Sequence, residues 1–158
     1  MVVDVCQVGL VENGVYYDAI DHRAARSIPG GRGETLQVVD IETTWIFDHE
    51  DIPQLVRANL LGTMSVQPSN RYHGLAVVGM LASEWDSHGM TGLVDLTSVK
   101  VKSHELRFWA SSVNVAAANS SPGDIIVLEV QLPFMGRIAP MESRQDVFDA
   151  VRNATLSG

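Results

Sequence analysis

Residues 36–45 read LQVVDIETTW. The run from Leu36 to Glu42 is aliphatic and β-branched and follows Gly30, Gly31 and Gly33, so it is expected to be a strand entered from a loop. Outward from it the chain keeps the same alternation of short β-rich runs and longer helical stretches. Leu96 to Ser103 (LTSVKVKS) alternates apolar and polar residues, and Asp124 to Gln131 (DIIVLEVQ) follows the Ser-Pro-Gly turn at 121–123 and is almost continuously apolar. A strand apolar on both faces is expected in the interior of a parallel sheet covered by helices. Leu75, Val78, Gly79 and Ala82 recur at helical spacing, as do Val147, Phe148, Val151 and Ala154 after Pro140, with Ser143 and Asp146 as a start signal. Phe108 to Ala118 is alanine-rich and reads as helix, and Arg23 to Ile28 predicts a short helix ended by Pro29. This order of elements predicts an α/β fold: a partial parallel sheet with helices on both faces. The last helix runs to Ser157 and Gly158, where a parallel α/β domain ordinarily feeds another strand, so the sheet is expected to be cut after residue 158.

Composition bounds the function. The chain has 158 residues, is 46% hydrophobic and carries a single cysteine, which is enough length for a core without disulfide or metal. Its net charge of −8, with basic residues scattered, lacks the attraction that phosphate binding needs, so nucleic acid is not an expected partner. Apolar runs such as Ile125 to Leu128 are far shorter than the ~20 residues of a membrane helix, and no membrane association is expected. MVVDVCQVGL at the start has Asp4 and no basic residue before its apolar stretch, unlike a secretory signal. Cys6 reads as a buried thiol. Gly30, Gly31 and Gly33 precede a strand, the reverse of a phosphate-cradling order, and no cofactor is expected. Asp48, His49, Glu50 and Asp51 form a polar knot that reads as a solvated loop, and no metal is expected.

Two residues carry the strongest chemical signal. Asp40 lies toward the carboxyl end of the first strand, the end that faces the binding crevice of open α/β sheets. His73 in NRYHGLAVVGML stands at a helix start. Such a pair can orient a general base: the acid fixes the imidazole tautomer, and the other ring nitrogen takes a hydroxyl proton. A strand-end Asp and a His before Gly also have ordinary roles as cap and helix-start residues.

VVDIETTWIFDHEDI resembles the aspartate segment of the subtilisin-like serine proteases (subtilases), in which an apolar strand ends in the catalytic Asp and a His-Pro-Asp-Leu-like segment follows; here His49, Asp51 and Ile52 stand in comparable places. HGLAVVGMLAS is similar to the histidine segment, with His73, Gly74, Val77 and Gly79 matching. HGMTGLVDLTSVKV and PGDIIVLEVQ are similar to later strands of that family, the second to a branch with a Leu-Glu-x-Gln strand end. The likeness runs from about residue 17 to 158, with 1–35 as a flanking segment and 36–158 as the N-terminal part of a catalytic domain. Asp40-Ile41-Glu42 replaces the usual Asp-Ser/Thr-Gly, though the same branch has Asp-Ile-Glu with a nearby Trp, here Trp45. Thr44 stands where that branch tends to have glycine, and Leu75 replaces a threonine.

The resemblance implies a serine-type endopeptidase in which Asp40 and His73 are catalytic and Glu129, Val130 and Gln131 border the substrate. It also implies export. The family's Gly-Thr-Ser segment and oxyanion Asn do not occur in these residues, and none of Ser111, Ser112, Ser120, Ser121 or Ser157 has the required context. Losing the nucleophile costs about 10⁶-fold in turnover in the subtilisin template, so the chain alone is expected to be inactive. The alternative is a catalytically silent subtilase-like module holding a peptide or protein partner in its crevice or along an exposed sheet edge. The same edge would allow self-association.

Overall fold

A computed structural model describes residues 19–64, 71–86, 89–104 and 108–158. Cys6 and His88 lie outside the described residues. In chain order the elements are α1 (His22–Arg26), β1 (Gln37–Glu42), a 3₁₀ turn (Arg57–Asn59), α2 (Arg71–Ala82), β2 (Ser98–Ser103), α3 (Trp109–Ala118), β3 (Ile125–Leu128), β4 (Gln131–Phe134), β5 (Arg137–Pro140), a second 3₁₀ turn (Met141–Ser143) and α4 (Gln145–Leu156).

β1, β2 and β3 form a parallel sheet in the order β2-β1-β3, with Asp40 level with Val101 on one side and Val127 on the other. Alternation along β1 divides its side chains between two layers. Val39 and Ile41 face one core, shared with Val113 and Ala116 of α3 and Val147 and Ala150 of α4. On the other side Val99 and Val101 pack with Trp45, Ile52 and Leu55 and with Val78 and Ala82 of α2. Helices therefore cover both faces, as the order of elements predicts. Complete burial of Ile41, Leu55 and Met141 stabilises the two layers by ~1.5–3 kcal/mol per side chain.

The third strand differs from its sequence reading in two ways. It lies at the edge of the described sheet, with Ile125 45% exposed, while β1 holds the central place. It also stops at Leu128 rather than running to Gln131. Continuing the register Ile41↔Leu128 would set Glu129 beside Glu42 on the same face, and like charges directly opposed across strands are unfavourable. The chain instead turns into the antiparallel hairpin β4-β5, closed by Met135 and Gly136 at φ 50° and 74°, the paired left-handed conformation that short hairpin turns favour.

The N-cap position of α4 is Arg144, with no side-chain cap hydrogen bond, so Ser143 does not serve as one. Asp146 does support the helix start, accepting from Arg144 Nε and Nη2 at 3.0 and 2.9 Å next to the positive helix end. Phe148, placed by spacing on the buried stripe, is half exposed.

Candidate functional site at the carboxyl end of the parallel sheet

β1 carries Asp40 and Glu42 on the same face because they are two residues apart. Asp40 is fully buried. Its Oδ2 accepts a hydrogen bond from Trp45 Nε1 at 2.7 Å, and its Oδ1 has no hydrogen-bond partner. Burial pushes this carboxyl up; the Trp45 bond opposes the rise, the charges of Glu42 and Glu129 add to it, and the result is about 7. Close to neutral pH Asp40 is therefore divided between its charged and neutral forms.

Glu42 is buried and uses both oxygens. Oε2 accepts from the Thr43 backbone N–H at 2.9 Å, and Oε1 meets His73 Nδ1 at 2.9 Å. His73 stands in the first turn of α2 with its side chain 56% exposed. No hydrogen bond from a described residue engages its Nε2. The sequence reading pairs Asp40 with His73, but in the structure the two are not hydrogen-bonded: Asp40 accepts from Trp45, and His73 lies against Glu42.

Trp45 explains the exchange. A Cβ on residue 74 would lie 2.8 Å from Trp45 Cδ1, 2.9 Å from Nε1 and 2.5 Å from the Thr44 carbonyl oxygen. Only glycine lets the start of α2 approach the indole this closely. The indole N–H, pressed against that helix start, is the group that reaches Asp40. Glu42, further along β1, reaches the imidazole.

The end of β2 closes the site from the other side. Ser103 Oγ donates to the Thr43 carbonyl at 2.6 Å, the His104 backbone N–H donates to the Glu42 carbonyl at 2.9 Å, and His104 Nε2 is hydrogen-bonded to Thr43 Oγ1 at 2.9 Å. Lys102 Nζ donates to the Ser103 carbonyl at 2.6 Å. Burial, reinforced by the Lys102 charge, pushes the His104 imidazole down, which keeps it neutral. These bonds fix the Thr43–Thr44–Trp45 turn and so the position of the indole.

The residues assigned to substrate by resemblance lie at the same end of the sheet. Glu129 is exposed and Val130 half-buried, together linking β3 to β4, while Gln131 is exposed and opens β4 opposite Pro140. The Asp48–Asp51 knot is a folded turn: the Asp51 N–H is bonded to His49 Nδ1, and Asp51 Oδ2 accepts from the Met90 N–H, each at 3.2 Å. Among the described residues no group of three or more His, Cys, Asp or Glu is placed to hold a metal ion, and no helix is long and apolar enough to cross a membrane.

Sequence reasoning named Asp40 and His73, and Gly74 only as a match to the histidine segment, but missed Glu42 and His104 as parts of this site. Glu42 was findable, since period-two alternation puts it on the Asp40 face nearer the strand end. The role of Gly74 was not, because it depends on a close approach between residues far apart in the chain. Chemically, an imidazole whose Nδ1–H is held by a carboxylate presents the Nε2 lone pair as a general base. No family model matches the chain, and no curated protein is significantly similar to it.

Proposed function

We propose that this chain supplies the acid and base of a subtilisin-like serine endopeptidase. One observation carries the reading: a buried carboxylate oxygen lies 2.9 Å from the imidazole Nδ1 of His73 at the carboxyl end of the central parallel strand, and no described residue engages Nε2. In the proposed reaction His73 Nε2 takes the proton of a serine hydroxyl as the oxygen bonds to the peptide carbonyl carbon. It then returns the proton to the leaving amine. Water repeats the sequence on the acyl-enzyme. Asp40 and Glu42 form the acidic side of this unit, and an extended peptide would lie by Glu129, Val130 and Gln131 using main-chain hydrogen bonds. The serine and its oxyanion donors must come from outside these 158 residues, which contain no Gly-Thr-Ser segment.

The test is labelling with a serine-directed fluorophosphonate, applied to the 158-residue chain and to the longest natural product of its gene. The expected result is no labelling of the former and labelling of the latter that is lost in His73→Ala. Labelling that survives His73→Ala overturns the reading.

A second reading is the silent binding module. It is favoured by the outer edge of β3, which pairs with no described strand, and by a cavity of about 510 Å³ between β3, α3 and α4, lined by Val113, Ile126, Leu128, Val151 and Ala154 among others. Absence of labelling in both products decides for it.

A further inference from the structure

Two carboxylates lie on one face of β1 within reach of the start of α2, and their partners differ. Asp40 is closed off: one oxygen is taken by the Trp45 indole and neither meets the imidazole. Glu42 is anchored through Oε2 by the Thr43 N–H, so its Oε1 is held in a fixed direction, and that oxygen lies 2.9 Å from His73 Nδ1. A buried acceptor with one oxygen pinned by the backbone is preorganised: little side-chain freedom is lost in forming the second bond.

We propose that Glu42, not Asp40, is the positioning residue of His73, fixing the neutral imidazole as the Nδ1–H tautomer, while Asp40 and Trp45 clamp the strand end against the helix that carries it. The inference deepens the proposed function and rests on His73 being its base. When Nε2 takes a proton from a hydroxyl, the O–H bond breaks, an N–H bond forms, and the imidazolium lies against the Glu42 carboxylate. That carboxyl group is already in contact, so no group has to move as the positive charge develops. Asp40, bonded to Trp45 through one oxygen and without a partner at the other, makes no hydrogen bond to the imidazole.

The test needs no turnover. Heteronuclear NMR of the imidazole nitrogens in the 158-residue chain, at a pH where His73 is neutral, reads the tautomer directly. The expected result is Nδ1 protonated and Nε2 not, with an Nδ1–H proton resonance protected from exchange. Glu42→Leu removes the acceptor and is expected to abolish that resonance and to average the two ring nitrogens. Glu42→Gln keeps an acceptor oxygen in place and restores the Nδ1–H tautomer, which a merely space-filling role for Glu42 would not require. Asp40→Asn leaves the His73 signature in place and shifts the Trp45 indole N–H instead. An Nε2–H tautomer in the parent chain overturns the proposal, and so does loss of the Nδ1–H resonance in Asp40→Asn. The parent and Asp40→Asn spectra decide the matter even if Glu42→Leu fails to fold. If the tautomer follows Glu42 while fluorophosphonate labelling ignores His73, the positioning stands and the protease reading falls.

Discussion

Asp40 is a carboxyl without access to water, and one of its oxygens lacks a partner. Its proton is held to about 7, against 3.8 for an ordinary aspartate, a gap worth about 4 kcal/mol. Below the lower value both folded and unfolded chains are protonated there and the group costs nothing. Between the two values the folded chain keeps a proton that the unfolded chain has lost, so stability falls as pH rises, and above about 7 the full cost is in place. Asp40→Asn copies the neutral acid and cannot ionise. Its stability relative to the parent is therefore expected to improve by about 3 kcal/mol between about pH 5 and about pH 8, measured by denaturant unfolding at each. The amide's own fit is the same at both pH values and cancels. A difference that does not change with pH would mean that Asp40 is solvated or ionised in the folded chain. The position of Asp40 near a strand end was legible in LQVVDIE; its burial beneath an indole was not, because the indole reaches it through a turn whose shape is set by Ser103 and His104 of another strand.

Between elements, the contact that shapes the site is α2 against the end of β1, and Gly74 allows its close approach. Alanine at a helix-interior position is worth about 1 kcal/mol over glycine, which alone would make Gly74→Ala stabilising. Here the added carbon would meet a backbone oxygen at 2.5 Å and the indole at 2.8 and 2.9 Å. Backbone atoms cannot step aside as a flexible side chain can, and overpacking typically costs 1–3 kcal/mol. Displacing the indole also breaks the Trp45–Asp40 bond, worth ~0.5–1.5 kcal/mol while the acid is neutral and ~1.5–3 kcal/mol while it is charged. Gly74→Ala is expected to destabilise by about 2 kcal/mol net and to move the Trp45 indole N–H resonance; thermal unfolding with the same spectrum checks both. A stabilised variant would show that the indole does not rest on the helix. The helix was legible from the spacing of Leu75, Val78, Gly79 and Ala82, and β1 from its aliphatic run. The end of β3 was not, because DIIVLEVQ is almost continuously apolar up to Leu128 and only the presence of Glu42 in the neighbouring strand makes Glu129 an unsuitable next partner.

Across the whole molecule, residues before β1 are tied to the body by a buried acid together with backbone bonds such as that from the Leu96 N–H to the Arg32 carbonyl. Asp95, with a side chain 1% exposed, accepts from Arg26 Nη1 at 2.6 Å, from Arg32 Nε at 3.1 Å and from Arg32 Nη2. Both guanidinium groups also lie over the Trp85 ring, at 4.4 and 5.2 Å from its centre, where cation–π attraction adds to the clamp. Burial alone would push the Asp95 carboxyl up; the hydrogen bonds and charges of Arg32 and Arg26 outweigh it and hold it below 3.8. Its contribution is therefore present above that pH and lost as pH falls through the lower folded value. Asp95→Asn leaves two cations facing a neutral amide and is expected to cost about 3 kcal/mol. It should also let trypsin cut in the Arg23–Arg32 stretch before the sheet unfolds, read by limited proteolysis with mass analysis. An unchanged cleavage order would place the hold of this segment elsewhere, for instance in the bond between His22 Nε2 and the Leu93 carbonyl.

The sequence by itself determined that the chain alternates strands and helices, that β1, β2, α2, α3 and α4 lie where they do, and that an acid and a histidine end up at one end of a sheet. These follow from periodicity and from glycine and proline punctuation, which act over a few residues. Only the tertiary structure decided which strand is central, where β3 stops, and which carboxylate holds His73. Each of those depends on groups far apart in the chain meeting in space: Glu42 beside the place Glu129 would take, the Trp45 ring against the bare Cα of Gly74, and Ser103 and His104 fixing the turn that aims the indole.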